Sequence, residues 1–153
     1  MEDLDVIDLK LLKMLSNNSS RTVKELAAQV NLSASPVVQR IKKLESNGYI
    51  KKYIAVLDPE KFNQGFIVFC NIRLKQHDRT IGYKFVEDIM KIDEVVECYN
   101  VSGDYDFILK VLARDMKHYQ EFVFNKLGSV ESIGSTHSTF VMAEVKNMQH
   151  VVL

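Results

Sequence analysis

Three amphipathic segments in the first 50 residues, a change of pattern at Asp58-Pro59, and a run of alternating strand-like and helix-like stretches beyond Phe66 predict an α+β chain. The expected architecture is an N-terminal helix–turn–helix followed by a ferredoxin-like βαββαβ domain. Its boundaries are read as 1–50 for the helical unit, 51–65 for a linker strand and turn, 66–146 for the βαββαβ domain and 147–153 for a C-terminal tail.

The helical unit comes first. Asp5 is placed to cap the first helix, and Asp8 puts negative charge in its first turn. Ile7, Leu11, Met14 and Leu15 then recur at helical spacing, and Asn17-Asn18-Ser19-Ser20 breaks the pattern. Thr22-Val23-Lys24-Glu25 is a capping box, in which hydroxyl and carboxylate each accept the other residue's backbone N–H. The helix it opens carries Val23, Leu26, Ala27 and Val30 on one face. After a tight turn at Asn31-Leu32-Ser33, Ser33 is placed to cap a third helix. Pro36 is tolerated in its first turn, where its missing N–H has no helical partner. Val37, Ile41 and Leu44 form the buried stripe, and Gly48 ends the helix.

Tyr49 to Leu57 is β-branched and aromatic and reads as a linker strand, with a turn at Asp58-Pro59-Glu60. Phe66 to Leu74 is nearly continuous in apolar residues, the mark of a strand buried on both faces or nearly so. Ile81, Phe85 and Ile89 predict a helix over Thr80 to Met90, followed by a strand from Val95 to Val101. Ser102-Gly103-Asp104-Tyr105 is a turn, and Phe107, Leu109 and Val111 alternate in the strand from Asp106 to Leu112. Asp115 is placed to cap a helix carrying Met116, Tyr119, Val123 and Leu127 and closed by Gly128. Thr136 to Val145 alternates again, with Thr139, Val141, Ala143 and Val145 on one face. Val151-Val152-Leu153 make the tail apolar enough to dock on a neighbour or to fray.

Composition narrows the classes. The 153 residues carry 20 basic and 20 acidic side chains, with 46% hydrophobic and 26% charged residues, which excludes disordered and collagenous chains. No apolar stretch approaches the roughly 18 residues of a membrane helix. The acidic start Met1-Glu2-Asp3-Leu4-Asp5 lacks the positive-then-apolar pattern of a secretory signal, so a cytoplasmic location is expected. Cys70 and Cys98 lie in apolar segments and read as buried thiols. His77, His118, His137 and His150 are scattered, no pair has zinc-motif spacing, and neither metal nor cofactor is expected.

The neutral total hides an asymmetry. Residues 1–53 carry nine basic and six acidic side chains, and within 33–53 Arg40, Lys42, Lys43, Lys51 and Lys52 face Glu45 alone. Screening makes distant acidic groups matter little, so this local basic face can bind phosphate. Helix–turn–helix chemistry needs one helix held by its buried stripe, with the opposite face free to enter a major groove. Ser35, Val38 and Gln39 suit base edges, Arg40, Lys42, Lys43, Lys51 and Lys52 suit phosphates, and Ser33 joins them at the helix start. The plainer alternative is a helical bundle with a solvated basic face.

Val101-Ser102-Gly103-Asp104-Tyr105-Asp106-Phe107 also admits two readings. One is a plain hairpin turn. The other is a loop whose backbone donors, Tyr105 and two carboxylates receive a small zwitterion. No nucleophile elbow, phosphate-cradling loop or triad pattern is present, and the Lys75-to-Arg79 connection lacks the glycine of an acylphosphatase-type anion loop, so no enzyme is expected.

Over nearly its whole length the sequence resembles the Lrp/AsnC ("feast/famine") transcription regulators. The resemblance is carried by Leu4-Asp5 with Asp8, Leu11-Leu12, Arg21, Glu25-Leu26-Ala27, Val30-Asn31-Leu32-Ser33, Arg40-Ile41, Lys43-Leu44-Glu45 and Gly48-Tyr49-Ile50. Leu57-Asp58-Pro59, Gly65, Gly103-Asp104-Tyr105-Asp106 and the Thr136-to-Val145 strand complete it. It implies a winged helix–turn–helix that binds double-stranded DNA, joined to a regulatory domain that binds a small effector, usually an amino acid. It further implies homodimers, often assembled into homo-octamers. By position, Gly103, Asp104, Tyr105 and Asp106 become effector-loop candidates, with Thr136 and Ser138 beside them. The tail Asn147-to-Leu153 departs from the Thr-rich ending of many relatives. The function expected is an amino-acid-modulated transcriptional regulator. The alternatives are an effector-independent nucleoid-organising protein and a metabolite-binding or enzymatic ferredoxin-like protein.

Overall fold

A computed structural model describes residues 4–76 and 78–147. Two compact units emerge, one running up to Val56 and joined by Lys146 and Asn147, the other Leu57–Val145.

The first unit is built from three helices: α1 (Val6–Asn17), α2 (Val23–Val30) and α3 (Ala34–Ser46). The Asp5 carboxylate accepts from the N–H groups of Ile7 and Asp8, and Asp8 answers the Asp5 N–H, so α1 opens on a reciprocal capping box. Thr22 and Glu25 do the same for α2. Asn31 takes the left-handed conformation (φ 55°), and the Leu32 N–H donates to the Ala27 carbonyl, which sets the tight turn into α3. Ser33 occupies the cap position of α3, but its side chain makes no cap hydrogen bond, contrary to expectation. The Gly48 φ of +77° lets the chain turn away after α3, as the sequence predicts. Leu11, Leu12, Leu15, Leu26, Ala27, Val30, Val37 and Leu44 form the core, with Leu32 and Ile41 packed on it.

The second unit begins with a 3-10 turn, Pro59–Phe62, whose Glu60 N–H is accepted by the Asp58 carboxylate. Its sheet comprises β1 (Phe66–Leu74), β2 (Val95–Asn100), β3 (Phe107–Ala113) and β4 (Ile133–Phe140), with α4 (Arg79–Ile89) and α5 (Met116–Asn125) as crossovers. The order β2-β3-β1-β4 with antiparallel pairing is the ferredoxin-like arrangement. Phe85 and Ile89 of α4 and Tyr119 and Phe122 of α5 pack on the face formed by Val68, Cys70, Ile72, Leu74, Phe107, Leu109 and Val111.

Several sequence expectations are corrected. Tyr49 to Leu57 forms no strand: among the described residues it has no sheet partner, and Tyr53, Ile54, Val56 and Leu57 are exposed. β-Propensity without a neighbouring strand gives extended chain only. β1 is buried on one face rather than two, because both helices lie on the same side of the sheet. β4 stops at Phe140, so the predicted stretch through Val141, Ala143 and Val145 lies outside it. The reason is register: Phe140 faces Val68 and the Val141 N–H reaches the Ile67 carbonyl, leaving hardly any β1 to pair with. α5 ends at Asn125, Leu127 and Gly128 lie in a following 3-10 turn, Met116 is exposed, and Phe122 is the buried residue the spacing did not single out. Cys98 is exposed on edge strand β2, whereas Cys70 is buried as expected. The tail residues Val151, Val152 and Leu153 and the acidic start Met1-Glu2-Asp3 lie outside the described residues. None of the described helices is long and apolar enough to cross a membrane.

Candidate DNA-reading helix and effector turn

On α3 the core stripe and the candidate residues occupy opposite sides. Val37 and Leu44 are buried, whereas Ser35, Gln39, Lys42 and Lys43 are exposed and Val38 is half-buried. At about 100° per residue, Ser35, Gln39 and Lys42 cluster roughly opposite Val37 and Leu44. This is the arrangement a groove-entering helix requires. Ser33 is exposed at the helix entrance.

Lys51 and Lys52 follow Gly48 on the extended segment, and both are exposed. The next residue, Tyr53, donates its phenol to Glu45 Oε1 at 2.8 Å and so ties that segment back to α3. Desolvation and this bond push the Tyr53 phenol up to about 12. Glu45, the lone acid of the basic stretch, is therefore engaged locally.

Arg40 behaves differently from the lysines. It is half-buried, and its Nη1 lies 2.6 Å from Asp5 Oδ2 and 2.7 Å from Asp8 Oδ1. No spacing rule reveals pairs 35 and 32 residues apart. The signal present in the sequence was only that two carboxylates open α1.

In the second unit the turn between β2 and β3 is tightly organised. Gly103 has φ +118°, a conformation L side chains rarely adopt. The Asp104 carbonyl accepts from Arg73 Nε at 3.0 Å and Nη2 at 2.6 Å. The Arg73 guanidinium lies 5.9 Å from the Tyr105 ring centroid, and that ring is 6.3 Å from the His137 ring. The Asp106 carboxylate accepts the Leu74 N–H at 2.8 Å. The Asp106 N–H donates to the Ile72 carbonyl, and its own carbonyl accepts from Val101 N and Asn100 Nδ2.

These bonds bring Tyr105 together with two residues that the sequence did not suggest, Arg73 and His137. They commit the Asp106 carboxylate to the end of β1. Thr136 pairs with Ile72 and Ser138 with Cys70, which puts them on the helix-covered side of the sheet, while His137 points to the other side with Asn71. The Ser138 hydroxyl is engaged by Tyr119, which also meets the Cys70 thiol at 3.0 Å. Burial pushes that thiol's pKa up. Among the described residues no group of three or more His, Cys, Asp or Glu side chains could hold a metal ion.

Residues 4–51 match a family model described as winged helix-turn-helix DNA-binding, and residues 67–151 match the Lrp/AsnC ligand binding domain. The DNA-binding transcriptional activator DecR of Escherichia coli is 34% identical over 143 residues, 94% of each chain. The leucine-responsive regulatory protein of the same organism is 32% identical over 152 residues, covering 99% of this chain and 93% of that one. A transcriptional regulator from Neisseria meningitidis, solved as a complex with L-Met, superposes with a TM-score of 0.94 at 31% identity, covering 98% of this chain and 97% of that one.

Proposed function

The chain belongs to the Lrp/AsnC family of DNA-binding transcriptional regulators, and on that premise we propose how its two units divide the work. It is a transcriptional regulator whose DNA binding is modulated by an amino acid, and its family is one of regulators rather than enzymes. Within that function, α3 enters the major groove. Ser35, Val38 and Gln39 read base edges, while Lys42, Lys43, Lys51 and Lys52, with Ser33 at the helix start, meet phosphates.

The observation that carries this reading is the opposition on α3 between buried Val37 and Leu44 and exposed Ser35, Gln39 and Lys42. One small helical unit makes few base contacts, so a dimer spanning two half-sites is required for useful affinity. The sheet face not covered by α4 and α5 supplies its interface, with half-buried Ile67, Phe69, Ile108 and Leu112. Dimers assemble further into octamers in the cytoplasm, where the DNA is.

The effector binds at the Gly103–Asp106 turn. The Arg73 lock and the Asp106 cap hold that turn's backbone in one shape, and Tyr105 and His137 flank it. Methionine is the first amino acid to try, because it is the ligand of the Neisseria regulator. Fluorescence anisotropy on a duplex from the chain's own upstream region, with and without each amino acid, tests the proposal. Mass photometry of the same samples reads assembly. The expected result is tight binding by an oligomer and a shift in affinity or assembly with one class of amino acid. A dilute monomer that binds as tightly, or curves that no amino acid moves, would contradict it.

A further inference from the structure

Arg40 on α3 has its charge matched by two carboxylates at the start of α1. Its Nη1 is shared between Asp5 Oδ2 at 2.6 Å and Asp8 Oδ1 at 2.7 Å. Each of those carboxylates divides its two oxygens. Asp5 Oδ1 accepts from the N–H groups of Ile7 and Asp8 at 2.9 and 2.8 Å, and Asp8 Oδ2 accepts the Asp5 N–H at 3.2 Å. One oxygen of each therefore closes the start of α1, and the other holds the guanidinium. The three side chains are 30%, 48% and 17% exposed for Arg40, Asp5 and Asp8, so the cluster is only partly open to solvent.

We propose that Arg40 is a positioning residue of the DNA-reading unit, which fastens the start of α1 to α3 and neutralises Asp5 and Asp8 instead of contacting phosphate. The inference rests on the DNA-binding reading. It removes one cation from the contact set and gives that cation another task.

The charge balance supports it. One guanidinium is held by two carboxylates at the start of α1, so its charge is already engaged there rather than offered to a phosphate. Pulling Arg40 away to a phosphate would leave two like charges beside each other on the unit that approaches DNA. Position supports it too. At about 100° per residue, Arg40 stands next to the buried stripe of Val37 and Leu44 and far from Lys42. The Asp8 backbone N–H, and after it the bond from Arg40, lower the Asp5 carboxyl from its ordinary value.

The test replaces the charged groups by neutral hydrogen-bonding ones in the full chain. Binding to the upstream duplex is followed by anisotropy across a salt series for wild type, Arg40→Gln, Asp8→Asn and the triple variant Asp5→Asn/Asp8→Asn/Arg40→Gln. Arg40→Gln is expected to lower affinity roughly tenfold, since two unbalanced carboxylates remain on the DNA-facing unit. The triple variant, which keeps hydrogen-bonding groups at all three positions, should return to within about threefold of wild type. The triple variant should keep the wild-type slope of log affinity against log salt, whereas the loss in Arg40→Gln, being charge repulsion, should shrink as salt rises. A slope reduced by about 0.9 per DNA-binding unit in the triple variant would make Arg40 a phosphate contact and overturn the proposal.

If Arg40→Gln does not fold, the triple variant still supplies the slope. The two single variants and the double variant Asp8→Asn/Arg40→Gln, which closes the cycle, are also unfolded thermally without DNA. There Arg40→Gln and Asp8→Asn should be non-additive, and additivity would overturn the strut. A wild-type chain that binds no duplex counts against the DNA reading, and the thermal cycle then judges the strut alone.

Discussion

On α3, Ser35, Gln39 and Lys42 stand exposed with no described residue bonded to their side chains, whereas at the Gly103 turn the Asp104 carbonyl and the Asp106 carboxylate, N–H and carbonyl are all bonded. Arg73 is spent on the Asp104 carbonyl and Asp106 on the Leu74 N–H. On the proposed division of labour, the contrast follows from what each surface would have to do. A helix that meets a long charged polymer gains from side chains free to adapt to bases and phosphates. A small ligand gains more from a backbone already held in its bound shape, because ordering a loose loop would subtract from its affinity. The first surface is thus specified by which side chains are left free, and the second by which bonds fix the chain.

The sharpest way to break the comparison is Gly103→Val. A Cβ there would meet nothing within 4 Å, so only the backbone conformation at φ +118° resists the change. Strain of about 1–3 kcal/mol is expected, and more for a β-branched residue, so the turn should change its path. Calorimetry should show the amino-acid response abolished while DNA binding persists.

Asp106→Ala comes next. It leaves the Leu74 N–H without its partner at the end of β1, a loss of about 1–3 kcal/mol. A lowered denaturant midpoint together with weaker effector binding is the expected reading. Arg73→Met sharpens the same side of the comparison, because it frees the Asp104 carbonyl without touching the turn's own residues. Effector affinity should fall roughly tenfold, the worth of a charge-assisted hydrogen bond at its lower end. An unchanged calorimetric affinity would mean that the lock does not shape the site.

On the helical side the effects are of two kinds. Gln39→Ala should change preference at one base position by about 1–3 kcal/mol, measured on duplexes substituted at single positions. Lys42→Ala should weaken binding to all sequences alike and lower the salt slope by about 0.9 per unit.

The smallest effect is on stability against pH. Glu25 has its carboxyl lowered by the Thr22 N–H and hydroxyl, and Asp5 by the Asp8 N–H and Arg40. A carboxylate whose folded pKa lies below its unfolded value of about 4 stabilises the fold above that value and loses this as pH falls through the folded one. Glu25→Gln should therefore lower the melting temperature slightly at neutral pH, leave it almost unchanged at pH values below the folded pKa, and so flatten the acid side of the profile.

Much of the fold could be read from local sequence, and the reasons are themselves local. Asp5 with Asp8 and Thr22 with Glu25 cap helices within four residues. The run Phe66–Leu74 and the alternation of Phe107, Leu109 and Val111 lie within single strands. What escaped depends on partners distant in sequence. Tyr49 to Leu57 has strand chemistry but no strand beside it, and β4 ends where β1 runs out of residues to pair. The candidate sites divide in the same way. The outward face of α3 was legible from helical periodicity. Arg40 meeting Asp5, Arg73 meeting Asp104, and Ser138 meeting Tyr119 are contacts across 35, 31 and 19 residues, for which the sequence carries no spacing signal.

The division of labour between α3 and the turn is tested most directly by one anisotropy titration. Wild type, Gln39→Ala and Gly103→Val are each titrated on the upstream duplex and on a scrambled duplex, with and without the amino acid to which the wild type responds. Gln39→Ala should lose discrimination between the two duplexes and keep the amino-acid response. Gly103→Val should keep discrimination and lose the response. If Gly103→Val, properly folded, still responds, or if Gln39→Ala discriminates as well as wild type, the two tasks do not reside where the account places them.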